Sequence, residues 1–209
     1  LKPEIGSKYA PFILTAEFNQ GSFQTVEFKV TQIYDDQPFI EHSLSEEVFH
    51  KLEKIILKEK NNPRKAINLS DSDFLSLGKI TFHFFNYYFG KKQIKEEDKF
   101  LIQNDFLSSY KGINTYRGGF KIYGHGIDDW LDLSSQQSQN TKLIYNDGIF
   151  GYIELEPHTK SVLKETSSRE KLFNNNEYKA LKIITNTLVQ IFSLEVKEKY
   201  KVKLLSKKD

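Results

Sequence analysis

The sequence has 209 residues, enough for one good hydrophobic core or two small ones sharing an interface, and 38% hydrophobic with 28% charged residues is the composition of a chain that folds. The 30 basic and 28 acidic residues leave a net charge of +2, which gives no reason to invoke a nucleic-acid or membrane partner. The absence of cysteine excludes disulfides, thiolate metal sites and a cysteine nucleophile; it fits a reducing compartment, with the cytoplasm as the expected location.

No apolar run approaches the roughly 18 residues of a membrane span, and no charged-then-apolar leader opens the chain, so no membrane partner is expected. The chain begins at Leu1 and contains no methionine, which points to an excised or processed piece, or to one from which methionines or loops have been left out.

In chain order, Phe12 to Phe18 reads as a strand. After Asn19-Gln20-Gly21 a second run sets Val26, Phe28 and Val30 on one face against Thr25, Glu27, Lys29 and Thr31, a half-buried hairpin. Ser43 and Glu46 have capping-box spacing ahead of Leu44, Val48, Leu52 and Ile55/Ile56, an apolar stripe at helical period that ends near Asn61-Asn62-Pro63. Gly78 opens another strand, where Ile80, Phe82 and Phe84 alternate with Thr81 and His83 before an aromatic stretch to Phe89. Lys91 to Lys99 reads as a loop or flexible insert, and Phe100 to Tyr110 is ambiguous between loop and short helix.

A further strand pattern runs from Asn114 through Phe120 and Ile122 to Gly124-His125-Gly126, with Gly118-Gly119 marking a bulge or a close backbone approach. The polar run Ser134 to Thr141 is expected as a mobile loop, and Ile149 to Glu156 as a strand closed by Pro157. Tyr178, Leu181, Ile184, Leu188, Ile191 and Val196 then trace one face of a long helix. From Lys197 to Lys208 six lysines meet one glutamate, a stretch read as a solvated chain end or as a phosphate contact. The order of elements predicts an α+β fold, a mixed β-sheet covered by helices.

Catalytic templates are sparse. There is no Gly-rich loop ending in Gly-Lys-Ser/Thr and no Gly-x-Ser-x-Gly elbow, and His42, His50, His83, His125 and His158 lack ligand spacing, so no metal site is expected. His125, Asp128 and Asp129 are the densest titratable cluster, readable as an acid-base or metal site. The structural alternative is a glycine turn at Gly124 and Gly126, an aspartate cap, and Trp130, Leu131 and Leu133 anchored in the core. Arg169, in the polar loop "KETSSREKLF", is by spacing alone a surface charge or a phosphate ligand.

Three blocks, "INTYRGGFKIYGHGIDDWLDL", "GIFGYIELEP" and "KETSSREKLFNNNEYKAL", resemble the transducer region of GHKL ATPases, the superfamily of gyrase, the heat-shock protein ninety chaperones, histidine kinases and MutL. The nearest likeness is to bacterial MORC-like members, which carry Tyr-Arg-Asp-Gly-Phe, Asp-Asp-Trp-Leu-Gly-Leu and Thr-Asn-Arg-Glu-Gly-Leu stretches. Tyr116, Arg117, Gly119 and Phe120 match the first, with Gly118 where the family often has aspartate. Asp128, Asp129, Trp130, Leu131 and Leu133 match the second, with Asp132 replacing its glycine. Arg169, Glu170, Leu172 and Asn174 or Asn175 match the third, with Lys171 replacing its glycine.

The resemblance implies a fold like the second domain of the small-subunit ribosomal protein five, with a left-handed βαβ crossover. It divides the chain into 1–110, a strand-rich N-terminal half; 111–196, a transducer core with a phosphate-sensing loop; and 197–209, a basic tail. It implies that Arg169 crosses to the γ-phosphate of ATP held by an upstream GHKL ATP-binding domain, with Lys171 or Lys164 as substitutes and Thr166, Ser167 and Ser168 shaping the loop.

ATP and Mg²⁺ are then cofactors of the full-length protein. The Glu/Asp-x-x-Asn helix and Asp-x-Gly-x-Gly loop of GHKL ATP sites do not appear in a suitable context here, so this piece alone is expected to be inactive. A homodimer and a DNA or protein substrate are the further partners implied. A non-catalytic protein or nucleic-acid interaction module is the rival reading.

Overall fold

Apolar side chains at alternate positions turn the first two runs into strands. β1 (Phe12–Asn19) and β2 (Ser22–Val30) pair antiparallel, and Leu14, Ala16, Phe18, Val26, Phe28 and Val30 share one buried face. The computed structural model describes residues 10–30, 40–43, 46–61, 69–87, 96–123, 128–139, 144, 146–156, 163–164, 166 and 172–206. With β3 (Ile40–Ser43), β4 (Ile80–Asn86), β5 (Gly112–Arg117), β6 (Phe120–Tyr123) and β7 (Ile149–Leu155) the strands form a seven-stranded sheet, ordered β3-β2-β1-β4-β7-β5-β6. Neighbours are antiparallel except β5 and β7, which run parallel, so the sheet is mixed and the fold is α+β.

Among the described residues, five longer helical segments and a short 3-10 turn (Asn146–Gly148) accompany the sheet: α1 (Glu46–Lys60), α2 (Asp71–Leu75), α3 (Glu96–Phe100 running on through Leu101–Leu107 and Ser108–Tyr110), α4 (Leu133–Gln139) and α5 (Asn176–Ser206). The stripe read on α5 is present, yet the burial goes further. Leu181, Ile184, Leu188 and Ile191 are buried, but so are Ala180, Thr185, Thr187, Phe192 and Ser193, and no residue from 178 to 197 is exposed.

Such a helix lies between layers rather than on a surface. On one side the Phe192 ring meets Phe28 at 5.8 Å and Phe84 at 6.5 Å; on others α1 and α2 pack against it. Its buried hydroxyls are satisfied within the helix: Thr185, Thr187 and Ser193 donate to the carbonyls of Leu181, Ile183 and Val189 at 2.7–2.8 Å. The helix runs to Ser206, so the lysine-rich stretch expected as a tail is, through that residue, the last turns of α5.

The opposite, outer face of the sheet is covered in part. Ala10, Phe85, Tyr87, Ile102, Phe106, Leu107 and Phe150 make a second, smaller core under α3, with Phe106 edge-on to Phe150 at 5.2 Å. Beyond α3 the strands line up Glu17, Thr81, Glu154, Tyr116 and Lys121 in one cross-strand row, and Thr15, His83 and Tyr152 in the next. His83 and Tyr152 stack with ring centroids 4.6 Å apart.

Several elements differ from the sequence reading. Ser43 is not a helix cap: it closes β3, opposite Glu27. The ambiguous run from Phe100 is helical and starts earlier, at Glu96, because Ile102, Phe106 and Leu107 find the aromatic outer face to bury against. The polar run after Leu133 is helix α4. Its helical state comes from its neighbours, since Gln136 donates to Leu131 O at 2.8 Å and to Asn186 Oδ1 at 3.2 Å. Among the described residues no helix is long and apolar enough to cross a membrane.

Candidate functional site

The stretch expected to sense phosphate begins and ends at fixed points. Leu163 and Leu172 are both buried in the main core, and the Phe173 amide donates to the Lys164 carbonyl at 2.9 Å, closing the loop between them. Arg117, the last residue of β5, donates from Nη2 to the Leu163 carbonyl at 2.9 Å. Beyond the loop, the Asn175 carboxamide oxygen accepts the Tyr178 amide at 2.9 Å, a cap for the first turn of α5, where Glu177 also meets the positive end of the helix dipole. Lys164 is exposed and Thr166 half-buried. Arg169, Lys171, Ser167 and Ser168 lie outside the described residues.

The Asp-Asp-Trp block serves structure. Asp129 accepts the amides of Leu133 at 2.8 Å and Ser134 at 2.7 Å through its two carboxylate oxygens, satisfying the open N-terminus of α4. Trp130 is buried, donates from Nε1 to the Ile113 carbonyl at 2.7 Å and lies 6.0 Å from the Tyr178 ring on α5. Leu131 and Leu133 are buried beside it. His125 lies outside the described residues, Asp128 is exposed, and among the described residues no group of three acidic or histidine side chains can hold a metal ion. The structural alternative accounts for the aspartates: one is spent on a helix cap and the other faces solvent.

Two positions singled out in the motif stretches have left-handed backbone. Asp132 has a φ of +58°, in the left-handed region that glycine enters most easily and aspartate tolerates. Its carboxylate also pairs with Lys182 of α5 at 2.8 Å. Gly118 and Gly119, expected as a bulge or a close backbone approach, reverse the chain between β5 and β6 as a two-residue hairpin turn, with φ of +56° and +82° and Arg117 facing Phe120 across it. Turns with two positive φ values favour Asp-Gly and Gly-Gly alike, so the aspartate-for-glycine difference leaves the geometry unchanged.

The three blocks therefore meet. Arg117 of the first holds the entrance to the third, Trp130, also of the first, joins the start of β5 to α5, and the second, as β7, pairs with β5. Sequence reasoning singled out Arg117, Trp130 and Asn174 or Asn175 as matching positions and Trp130 as a core anchor, but missed the partners of Arg117 and of the Trp130 indole. Only for Asn175 was a local signal present, an amide side chain three residues ahead of Tyr178 at the start of a helical stripe.

Two further places carry polar groups. On the outer face, burial raises the Tyr152 hydroxyl above its ordinary value, with Glu154 and Tyr116 adding to the effect; burial, then Tyr110, raises Tyr116; and burial lowers Lys121. A groove of about 360 Å³ lies against Phe18, Phe23, Ile56 and Phe74, beside the Lys60–Asp71 ion pair, three strands across the sheet from β5. Neither place offers a nucleophile paired with a base. No protein-family model, curated protein or solved structure matches the chain.

Proposed function

We propose that this chain is the transducer region of a GHKL-type ATPase, with the ribosomal-protein-five-like topology of that class, coupling ATP binding and hydrolysis in an upstream domain to a rearrangement or to dimerisation. The observation that supports the reading is the left-handed backbone at Asp132 and at Gly118-Gly119, a conformation that glycine, which the motif carries at the position of Asp132, adopts without strain. The clamping of loop 164–172 at both ends supports it as well.

In this reading Arg169 supplies a planar fork of donors to the γ-phosphate oxygens, while ATP and Mg²⁺ are held by the upstream domain. The γ-phosphate exists only before hydrolysis, so the contact ties the angle between the two domains to the nucleotide state. Lys164, exposed at the loop entrance, is the substitute cation among the described residues. The role requires a full-length protein; the 209 residues themselves carry the response rather than the turnover.

The test is ATP turnover by the full-length protein beside its Arg169→Ala variant. A loss of about one order of magnitude or more is expected, as for other arginines that contact a transferring phosphate. Unchanged turnover, or an upstream sequence with no Asn-bearing ATP-binding domain, removes the sensor and leaves the interaction-module reading.

A further inference from the structure

We propose that the groove against Phe18, Phe23, Ile56 and Phe74 binds a small carboxylate with an apolar tail, its head taking the place of Asp71 at the ammonium of Lys60. The inference stands apart from the sensor reading above. Every residue it uses lies in β1, β2, α1 or α2, or in the turn between the two strands.

Three elements build the groove. Gln20 and Gly21, with φ of +50° and +79°, reverse the chain between β1 and β2, and Leu75 of α2 lies so close to Gly21 that a Cβ there would come within 3.0 Å of its Cδ2. Behind the turn the Phe18 and Phe23 rings meet edge-on at 5.4 Å; Phe18 and Phe74 are buried, whereas Phe23 and Ile56 are half-covered. On α1, Ile56 and Lys60 stand one turn apart and share a flank. Leu57 and Leu75 line the mouth at 55% and 56% exposure. The cavity of about 360 Å³ suits a ligand at the small end of the usual range, since small-molecule sites run from about 300 to 1,000 Å³.

The polar groups decide what fits. The Lys60 side chain is only 15% exposed, yet its one ion-pair partner among the described residues is Asp71, whose side chain is 90% exposed. A covered ammonium has given up much of its hydration, and a carboxylate standing in water must lose solvation and rotamer freedom to stay beside it. A carboxylate arriving on an apolar tail brings the same charge from within the groove, and its tail removes the rings and leucines from water. Glu53 lies two turns before Lys60, about 10 Å along the helix, and pairs with His50 at the surface. That end of the groove repels an anion, so the head belongs at Lys60 and the tail runs along α1 toward Glu53.

The test titrates octanoate into the 209-residue chain while amide chemical shifts are followed, with 1-octanol as the uncharged control. Saturable shifts are expected at Gly21, Ser22 and Leu75. Lys60→Met, which keeps an apolar stem, is expected to weaken octanoate about tenfold and leave 1-octanol unchanged. Asp71→Asn, which removes the competing carboxylate, is expected to tighten octanoate severalfold; at its exposure this residue is replaced without disturbing the core, so the variant carries the test if Lys60→Met does not fold. Shifts that are absent or centred elsewhere overturn the site. Equal responses of octanoate and 1-octanol to Lys60→Met overturn the ammonium as the head contact, and unchanged octanoate affinity in Asp71→Asn overturns the exchange.

Discussion

The two faces of the sheet are covered differently, and the difference separates what holds the molecule together from what can still respond to its surroundings. The inner face is closed by α5, α1 and α2, and its rings and aliphatic chains, from Phe28 and Phe84 to Leu188 and Phe192, are fully buried. Among the described residues the outer face is closed only where α3 lies over Phe85 and Phe150. Its remaining rows carry Tyr116, buried, with His83, Tyr152 and Glu154 half-buried and Lys121 exposed. Apolar burial contributes about 25 cal/mol per Å² wherever it occurs, so most of the stability resides on the inner side. Titration has its effect on the outer side.

The comparison breaks most visibly at Phe192. Replacing this fully buried ring by alanine empties the space between α5 and strands β2 and β4, and a loss of about 3–5 kcal/mol is expected in urea unfolding. A loss under about 1 kcal/mol would mean that α5 is not the centre of the core.

The next effect is at high pH and belongs to the outer face. Tyr87, Tyr116 and Tyr152 titrate above the ordinary tyrosine value of 10.0 in the folded state, mainly because burial disfavours the phenolate. An acid with a raised folded pKa contributes stability that is complete below its unfolded pKa and is lost as pH rises through the folded one. Lys121 runs the other way, its contribution being lost as pH falls through its lowered pKa, but it is one group against three. The melting temperature is therefore expected to fall from about pH 10 upward, with a shallower fall in Tyr152→Phe; a curve flat to about pH 12 would refute the burial of these hydroxyls.

The smallest effect sharpens the contrast. Glu17 and Lys79 form a 2.8 Å ion pair with both side chains about a third exposed. Glu17→Gln is expected to cost less than about 0.5 kcal/mol, and the cost should vanish at high salt. A larger, salt-independent loss would show that this edge of the outer face is shielded from solvent.

How much of this was legible in the sequence follows from the range of the interactions. The β1–β2 hairpin, β4, β7 and α5 carry their pattern in the side chains themselves, at period two or three to four. β3 has four residues and a single aliphatic side chain, Ile40, so nothing local announced it, and Ser43 with Glu46 imitated a cap. α4 has one buried residue, Leu133; its aspartate cap, four residues earlier, was readable as a cap, but the asparagine that holds Gln136 lies 50 residues later, outside any local window. The candidate site was legible as three motif blocks. The bond from Arg117 to Leu163 that joins two of them is tertiary, and spacing along the chain is silent about it.

The position of α5 in the order of synthesis has a consequence for how the chain is made. Every strand leaves the ribosome before the helix that seals the inner face, and β1 must wait for β4, some 65 residues downstream, to gain its second neighbour. Until about residue 196 has emerged, a sheet face lined by Phe18, Phe28, Phe82 and Phe84 stays open to other nascent chains. The helix that makes the finished molecule secure is thus also the reason that its growing form depends on protection.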